Sequence, residues 1–179
     1  MKTFLITITS IIFSVSAGTA SAHGDIGSVG AGVGASYGFV GASFDKSFTK
    51  NLYGSVGLGS AGDDLGYNVG LRYYLQEAEK TWRPRLVLNY GTNGVISTQT
   101  CFFSSCSEEE YESFEGWSIG VGQSVGFGSN QKHGFEFDLL FIADDGGLAD
   151  RVDELEDEGF DADDGFGKVY FSIGYRFSF

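Results

Sequence analysis

The chain ends with the stretch GKVYFSIGYRFSF, residues 167–179. Apolar and aromatic side chains hold the odd positions from Val169 to Phe179, whereas the even positions from Lys168 to Ser178 hold polar or small residues and Tyr170. A period of two belongs to an extended strand, because successive side chains of a strand point to opposite faces. The stretch therefore predicts a two-faced β-strand that ends on an aromatic residue.

Seven earlier segments show the same alternation, so the sequence predicts eight strands. Their apolar residues are interleaved with small ones, in a chain of 28 Gly, 1 Pro and 16% aromatic residues. An even number of alternating strands joined by turns predicts a closed antiparallel barrel. The predicted segments are 27–35, 39–45, 52–58, 65–75, 85–90, 116–127 and 135–141.

Two kinds of eight-stranded barrel fit this pattern. A soluble lipocalin-like barrel turns its apolar rows inward, whereas a transmembrane barrel turns them toward lipid. The polar rows are rich in Gly and Ser and carry almost no Lys, which makes them poor water-facing surfaces. The pattern therefore favours an all-β, eight-stranded antiparallel transmembrane up-and-down β-barrel.

The terminal strand carries a family resemblance. Tyr175, Phe177 and Phe179 are spaced by two and end the chain, which resembles the assembly signal of bacterial outer-membrane β-barrel proteins. Residues 23–179 resemble the small OmpA/OmpX/opacity-like barrel family. The resemblance implies a Gram-negative outer membrane, recognition of the last strand by the barrel assembly machinery, contact with outer-membrane lipid and lipopolysaccharide, and no cofactor.

Residues 1–22 form a predicted signal peptide. Lys2 precedes an apolar stretch, and Ala20-Ser21-Ala22 matches an A-x-A cleavage site, so the barrel domain is predicted at residues 23–179. Without this leader the chain has 10 basic and 24 acidic residues, a net charge of −14. Such acidity excludes nucleic acid as a partner.

The chain has two cysteines, Cys101 and Cys106, in a Ser-rich segment. In an exported protein a local disulfide is the expected state, since two Cys with no nearby His make a poor zinc site. The predicted loop around them, Gly91 to Glu115, and a second one, Asp144 to Gly165, are the longest connections. Both follow odd-numbered strands, so they face outside when the termini face the periplasm.

This orientation places the outward aromatic residues near two rims, as interfacial girdles require. The predicted periplasmic girdle contains Phe44, Tyr73, Phe127, Phe135, Phe177 and Phe179, and the outer girdle contains Tyr37, Tyr67, Tyr90, Trp117 and Phe141.

Inward positions of the strands carry few charges. The alternation points Lys168 inward and brings five further charges to the periplasmic half of the lumen: Arg72, Arg85, Glu136, Asp138 and Arg176. An unpaired ion in a narrow lumen costs several kcal/mol, so these five are predicted to bond to one another in one layer. The layer serves either as a structural core or as a gate in a narrow pore.

The second long loop, from Asp144 to Gly165, contains eleven acids and one base, Arg151. The spacing of Leu148, Val152 and Leu155 predicts a short helix within it. Candidate metal ligands are Asp161, Asp163 and Asp164, but the later acid of a calcium loop is absent, so the sequence favours a solvated acidic face.

Catalysis finds little support. Lipid-processing barrels need a His beside a Ser at the outer rim, whereas His23 lies at the predicted mature N-terminus and His133 on a periplasmic turn. The sequence therefore predicts a non-enzymatic surface barrel, in adhesion or envelope integrity, whose acidic loops meet an extracellular ligand. The alternative is a narrow passive pore gated by the inner charges.

Overall fold

The computed structural model describes residues 26–62, 64–98, 101–102, 105–106, 110–144, 146–157 and 168–179, so the predicted signal peptide lies outside the described residues. The strands are β1 (Gly27–Gly34), β2 (Phe39–Ser47), β3 (Leu52–Ala61), β4 (Asp64–Tyr74), β5 (Trp82–Thr98), β6 (Cys101–Phe102), β7 (Ser105–Cys106), β8 (Glu110–Phe127), β9 (His133–Ile142) and β10 (Val169–Ser178). Helix α1 spans Leu148–Asp157, and 3-10 turns span Ala35–Tyr37 and Ser129–Gln131. No helix in these ranges is long and apolar enough to cross a membrane.

Eight of the described strands close into an antiparallel barrel, as the sequence predicts. Their order around the wall is β1-β10-β9-β8-β5-β4-β3-β2. The first and last strands close the ring, with Val29 opposite Phe177 and Ala31 opposite Tyr175. Closure leaves no unpaired edge, so the wall satisfies its backbone hydrogen bonds internally.

Most apolar side chains of the wall lie on its outer face, and the charged side chains of the strands' middle lie on its inner face. On β4, Arg72 is 0% exposed, whereas its neighbours Leu71 and Tyr73 are 42% and 47% exposed. The same alternation holds along the final strand, where Phe171 is 72% and Arg176 only 3% exposed. A lipocalin-like barrel would reverse these faces, so the structure has the inverted pattern of a membrane-spanning barrel.

The two ends of the barrel differ. Turns at residues 48–51, 75–81 and 128–132 lie at one end, where the Ile26 N–H donates to the Phe179 carbonyl over 2.9 Å. We call this end the terminal rim and the opposite end the loop rim. The loop rim carries the odd-to-even connections, as the sequence predicts, and both predicted long loops belong to it.

The predicted loop from Gly91 to Glu115 is too long at both ends. Strand β5 continues to Thr98 and β8 begins at Glu110, so the ladder projects beyond the barrel wall. The register shifts between Thr92 and Gly94. Asn93-Gly94 is a turn signal in sequence, but here it forms a bulge inside a continuing ladder.

Candidate functional site

The candidate site is the filled lumen, and Glu136 on β9 lies at its centre. The Glu136 carboxylate is contacted by Arg85 from β5, by Arg72 Nη1 from β4 at 3.1 Å, and by Arg176 Nε from β10 at 3.4 Å. Glu136 is 1% exposed. Three strands thus each place one arginine on the same buried acid.

Asp138, one inward position farther along β9, binds the same arginine as Glu136. Arg85 Nη2 lies 2.8 Å from Asp138 Oδ1, and Arg85 Nε donates to that oxygen over 2.9 Å. Because a guanidinium is a planar fork of donors, Arg85 can hold both carboxylates at once. The structure therefore brings all five predicted residues of the charge layer together.

Asp45 on β2 extends this layer and was missed in the sequence. Arg72 Nη1 donates to Asp45 Oδ2 over 2.7 Å, and Ser28 Oγ donates to the same oxygen over 3.3 Å. The alternation of β2 indicates this position. Val40, Ala42 and Phe44 point outward, so Asp45 points inward.

Arg83 and two tyrosines form the layer nearest the terminal rim. The Arg83 guanidinium lies 4.0 Å from the centre of the Tyr74 ring and 5.7 Å from that of Tyr53. Tyr74 Oη also donates to Glu136 Oε1 over 3.3 Å. Strand alternation predicts no role for Arg83, because Arg83 lies before the predicted segment 85–90.

The β1–β2 connection enters the lumen as a plug, which we define as residues Ala35–Gly38. Tyr37 Oη donates to Glu136 Oε2 over 3.2 Å, and Ser36 Oγ donates to Asp138 Oδ2 over 2.9 Å. Ala35, Ser36 and Tyr37 are each at most 2% exposed. The placement of Tyr37 in the outer aromatic girdle is therefore wrong.

The backbone explains this inward turn. Gly34 has φ 110° and Gly38 has φ 65°, both in the region that side-chain-bearing residues rarely adopt. These two glycines reverse the chain on either side of a single 3-10 turn. The reversal carries Tyr37 out of the outward row of β1 and into the lumen.

An apolar layer lies on the loop-rim side of the charges. Ala35 of the plug packs with Val87 and Leu140, and Tyr170 covers this group. Val87 and Leu140 are each one inward position beyond Arg85 and Asp138 toward the loop rim. The lumen is thus filled in succession by a cation–π group, an ion-pair layer with the plug, and apolar side chains.

Helix α1 lies at the loop rim and confirms the predicted helix. Leu148, Val152 and Leu155 are buried, and Leu148 lies over Gly94 of β5. Arg151 Nη1 donates to Glu154 over 3.0 Å and Arg151 Nε to Glu112 of β8 over 3.2 Å. These hydrogen bonds raise the pKa of Arg151 above its ordinary value.

Acidic residues dominate the exposed surface of the loop rim. The described members are Asp64, Glu112, Glu115, Asp144, Asp150, Asp153 and Glu154. Lys168 also lies here in an exposed turn, so the prediction that it points into the lumen is wrong. Its position immediately before β10 removes it from the alternation of that strand.

Two predicted sites remain predictions. Cys101 lies opposite Cys106 in the β6–β7 ladder, a backbone arrangement that brings Cα atoms within disulfide range, but their side chains lie outside the described residues. Asp161, Asp163 and Asp164 also lie outside them. Among the described residues, no group of three or more His, Cys, Asp or Glu is placed to hold a metal ion.

The predicted assembly signal lies on the outer wall at the terminal rim. Tyr175, Phe177 and Phe179 are 40%, 37% and 49% exposed. The His133 ring lies 5.3 Å from Phe177, and its Nδ1 contacts the Tyr175 hydroxyl. This histidine is therefore part of an aromatic group on the outer wall.

Comparison with known proteins supports the fold. No family model and no curated protein matches the chain. A matching solved structure is the crystal structure of the N-terminal β-barrel domain of Pseudomonas aeruginosa OprF, with a TM-score of 0.52 and 14% identity over 88% of this chain and 100% of that one. At this identity the likeness concerns the fold. The chain thus shares the β-barrel fold of that domain.

Proposed function

We propose that the protein is a non-enzymatic surface barrel of the bacterial outer membrane, closed at rest, with a function in adhesion or envelope integrity. The carrying observation is the filled lumen. Glu136 and Tyr37 in the ion-pair layer and Leu140 in the apolar layer are each at most 1% exposed. A barrel filled in this way serves as a rigid anchor for whatever its loop rim presents.

The two rims of the barrel support one placement in the membrane. The terminal rim faces the periplasm, because both ends of the described barrel and the short turns lie there. The loop rim faces outside and presents α1 with its exposed acids. Since lipopolysaccharide carries phosphate, its contact with this acidic rim requires bridging divalent cations, whereas a basic extracellular ligand would bind directly.

Conductance in planar bilayers tests the closed lumen. Folded barrel, identified by a heat-dependent gel shift, should give no reproducible current steps. Regular steps from the unaltered protein would contradict a closed resting state. A Glu112→Gln variant is the matched control for charge removal, because Glu112 pairs with Arg151 at the loop rim and lies outside the lumen.

Labelling of intact cells tests the orientation. In a chain with Cys101 and Cys106 replaced by Ser, a membrane-impermeant maleimide should label Asp150→Cys on α1 but not Lys132→Cys at the terminal rim. Labelling of Lys132→Cys alone would reverse the orientation. Labelling of both only after cell lysis would contradict a surface protein.

A deletion strain separates adhesion from envelope integrity. A chain with Asp150→Asn, Asp153→Asn and Glu154→Gln should lose the exposed negative charge of α1 and keep the barrel. If adhesion is the function, this variant should fail to restore attachment of the deletion strain to a positively charged surface. If envelope integrity is the function, it should restore resistance to detergent as well as the unaltered chain does.

A narrow gated pore is the second candidate, and one observation favours it. The side-chain amides of Asn68 and Asn89 are 0% exposed and have no hydrogen-bond partner among the described residues. Both point into the lumen between the charge layer and the loop rim. Buried polar groups of this kind are normally satisfied by water, so this side of the lumen is suited to hold a water path.

The plug is the element whose movement would open such a path. It is a short connection between two glycines, and its side chains bond to Glu136 and Asp138. Current steps that appear only in a Tyr37→Ala variant would favour the gated pore. Silence in folded Tyr37→Ala and Glu136→Gln variants would leave the surface barrel as the function.

A further inference from the structure

The terminal rim carries most of the lysines of the described chain. Lys46 ends the outward row of β2, Lys50 lies in the β2–β3 turn, Lys80 in the β4–β5 turn and Lys132 before β9. All four are exposed, and none forms an ion pair within the described residues. Lys168 is the remaining described lysine, and it lies at the loop rim.

Each of these lysines adjoins an exposed aromatic side chain. Lys46 and Lys50 flank Phe48, which is 60% exposed, and Lys80 is two residues before Trp82, which is 62% exposed. Lys132 precedes His133, whose ring stacks on Phe127 at 5.8 Å. Aromatic residues of a membrane protein mark the depth of the lipid headgroups, so these ammonium groups lie at that depth.

The distribution of charge around the rim favours lipid as the partner. The three turns lie at different points of the ring, between β2 and β3, β4 and β5, and β8 and β9, so the lysines surround the barrel and do not form one face. The exposed acidic side chains of the described rim are Glu77 and Glu79, which share the turn of Lys80. Scattered single lysines suit small ligands that approach from every side.

From this arrangement, we propose that the terminal rim is a binding surface for anionic phospholipid headgroups, with Lys46, Lys50, Lys80 and Lys132 contacting their phosphates. The proposal rests on the membrane placement proposed above. It assigns the two rims opposite tasks, because the basic rim holds the inner-leaflet lipid while the acidic rim is free for other partners. The binding weakens with salt, since these lysines are exposed.

The two tryptophans of the chain provide native reporters, since Trp82 lies at the terminal rim and Trp117 at the loop-rim end of the outer wall. A Trp117→Phe variant leaves Trp82 as the reporter, and a Trp82→Phe variant leaves Trp117. Each is refolded into phosphatidylcholine vesicles that contain a minor fraction of phosphatidylglycerol. The acyl chains of one lipid or the other are brominated, at equal mole fraction.

We expect brominated phosphatidylglycerol to quench Trp82 about two- to fivefold more than brominated phosphatidylcholine does at low salt. The preference should disappear in about 1 M NaCl, where the Debye length is about 3 Å. Trp117 should show no preference. Both leaflets of the vesicle have the same composition, so the result does not depend on the direction of insertion.

Lysine variants, with folding checked by the gel shift, decide the assignment. Replacing the four rim lysines by Gln should abolish the preference, and Lys168→Gln should leave it unchanged. Two results would overturn this inference alone. One is equal quenching of Trp82 by both lipids when the four rim lysines are unaltered, and the other is a preference for phosphatidylglycerol that survives replacement of all four lysines. Absence of quenching at both tryptophans would show that the chain is not in the bilayer, and both proposals would fail.

Discussion

Replacing Glu136 by Gln removes the acid that three arginines share. Arg72, Arg85 and Arg176 contact this carboxylate, and Glu136 is 1% exposed. Removing one partner of a buried ion pair costs about 3–5 kcal/mol, because the remaining charge stays desolvated. Asp138 still neutralises part of Arg85, so we expect a loss of about 3 kcal/mol, near the lower end of that range.

The assay is a urea titration of refolded barrel in lipid vesicles, followed by tryptophan fluorescence and by the gel shift. Glu112→Gln is the control. It breaks an ion pair with Arg151 in which the Glu112 side chain is 55% exposed, and such pairs contribute about 0–1 kcal/mol. The two variants remove the same charge, so the difference between their free energies of unfolding reports the effect of burial.

A double variant tests the cause of the loss. Replacing Arg85 by Gln as well removes a cation that Glu136→Gln leaves undercompensated, so the two losses should be less than additive by about 0.5–3 kcal/mol. Strict additivity would refute the claim that these residues act as one network. A Glu136→Gln barrel as stable as the Glu112→Gln control would refute the reasoning altogether.

Three further predictions test other parts of the structure. Tyr37→Ala should destabilise the barrel by about 3–5 kcal/mol through the cavity left by the buried ring, measured in the same titration, and an unchanged midpoint would place this ring outside the core. Leu148→Asp with Leu155→Asp should expose α1 to cleavage by trypsin after Arg151 while the gel shift persists, because only the docked helix loses its apolar contact; equal protection would contradict the docking. Cys101 and Cys106 should form a disulfide, seen as a mass increase of about 2 Da on reduction, and identical masses before and after reduction would exclude it.

Alternation was sufficient to predict the wall and most of the charge layer. Each strand has a period of two, so once the apolar row is assigned to lipid, Arg72, Glu136 and Arg176 can only point into the lumen. Strand direction then places them at the same height. The loop-rim helix was also predictable, because Leu148 and Val152 keep helical spacing among acids.

Strand alternation does not predict the plug. Tyr37 lies an even number of residues after Val29 and Val33, so alternation predicts that it points outward with them. Gly34 ends β1 at φ 110°, but the sequence does not distinguish it from a glycine within a strand. Asp45 is hard to predict for a related reason, because it is the last residue of the predicted segment 39–45 and alternation is least certain at the end of a strand. Turn conformations depend on tertiary contacts. In the plug these contacts are the hydrogen bonds to Glu136 and Asp138.

The charge layer also favours one register among the strands that carry it. Arg72, Arg85, Glu136 and Arg176 come from β4, β5, β9 and β10, and their contacts form only when all four strands are in register. A slip by one residue in any of them would move its charge from the lumen to the lipid-facing side, at a cost of about 2–4 kcal/mol for an arginine near the bilayer midplane. A buried ion network adds little stability over apolar packing of the same shape. We expect its main effect in this barrel to be the exclusion of wrong registers, and two of its acids, Glu136 and Asp138, also accept the hydrogen bonds of the plug.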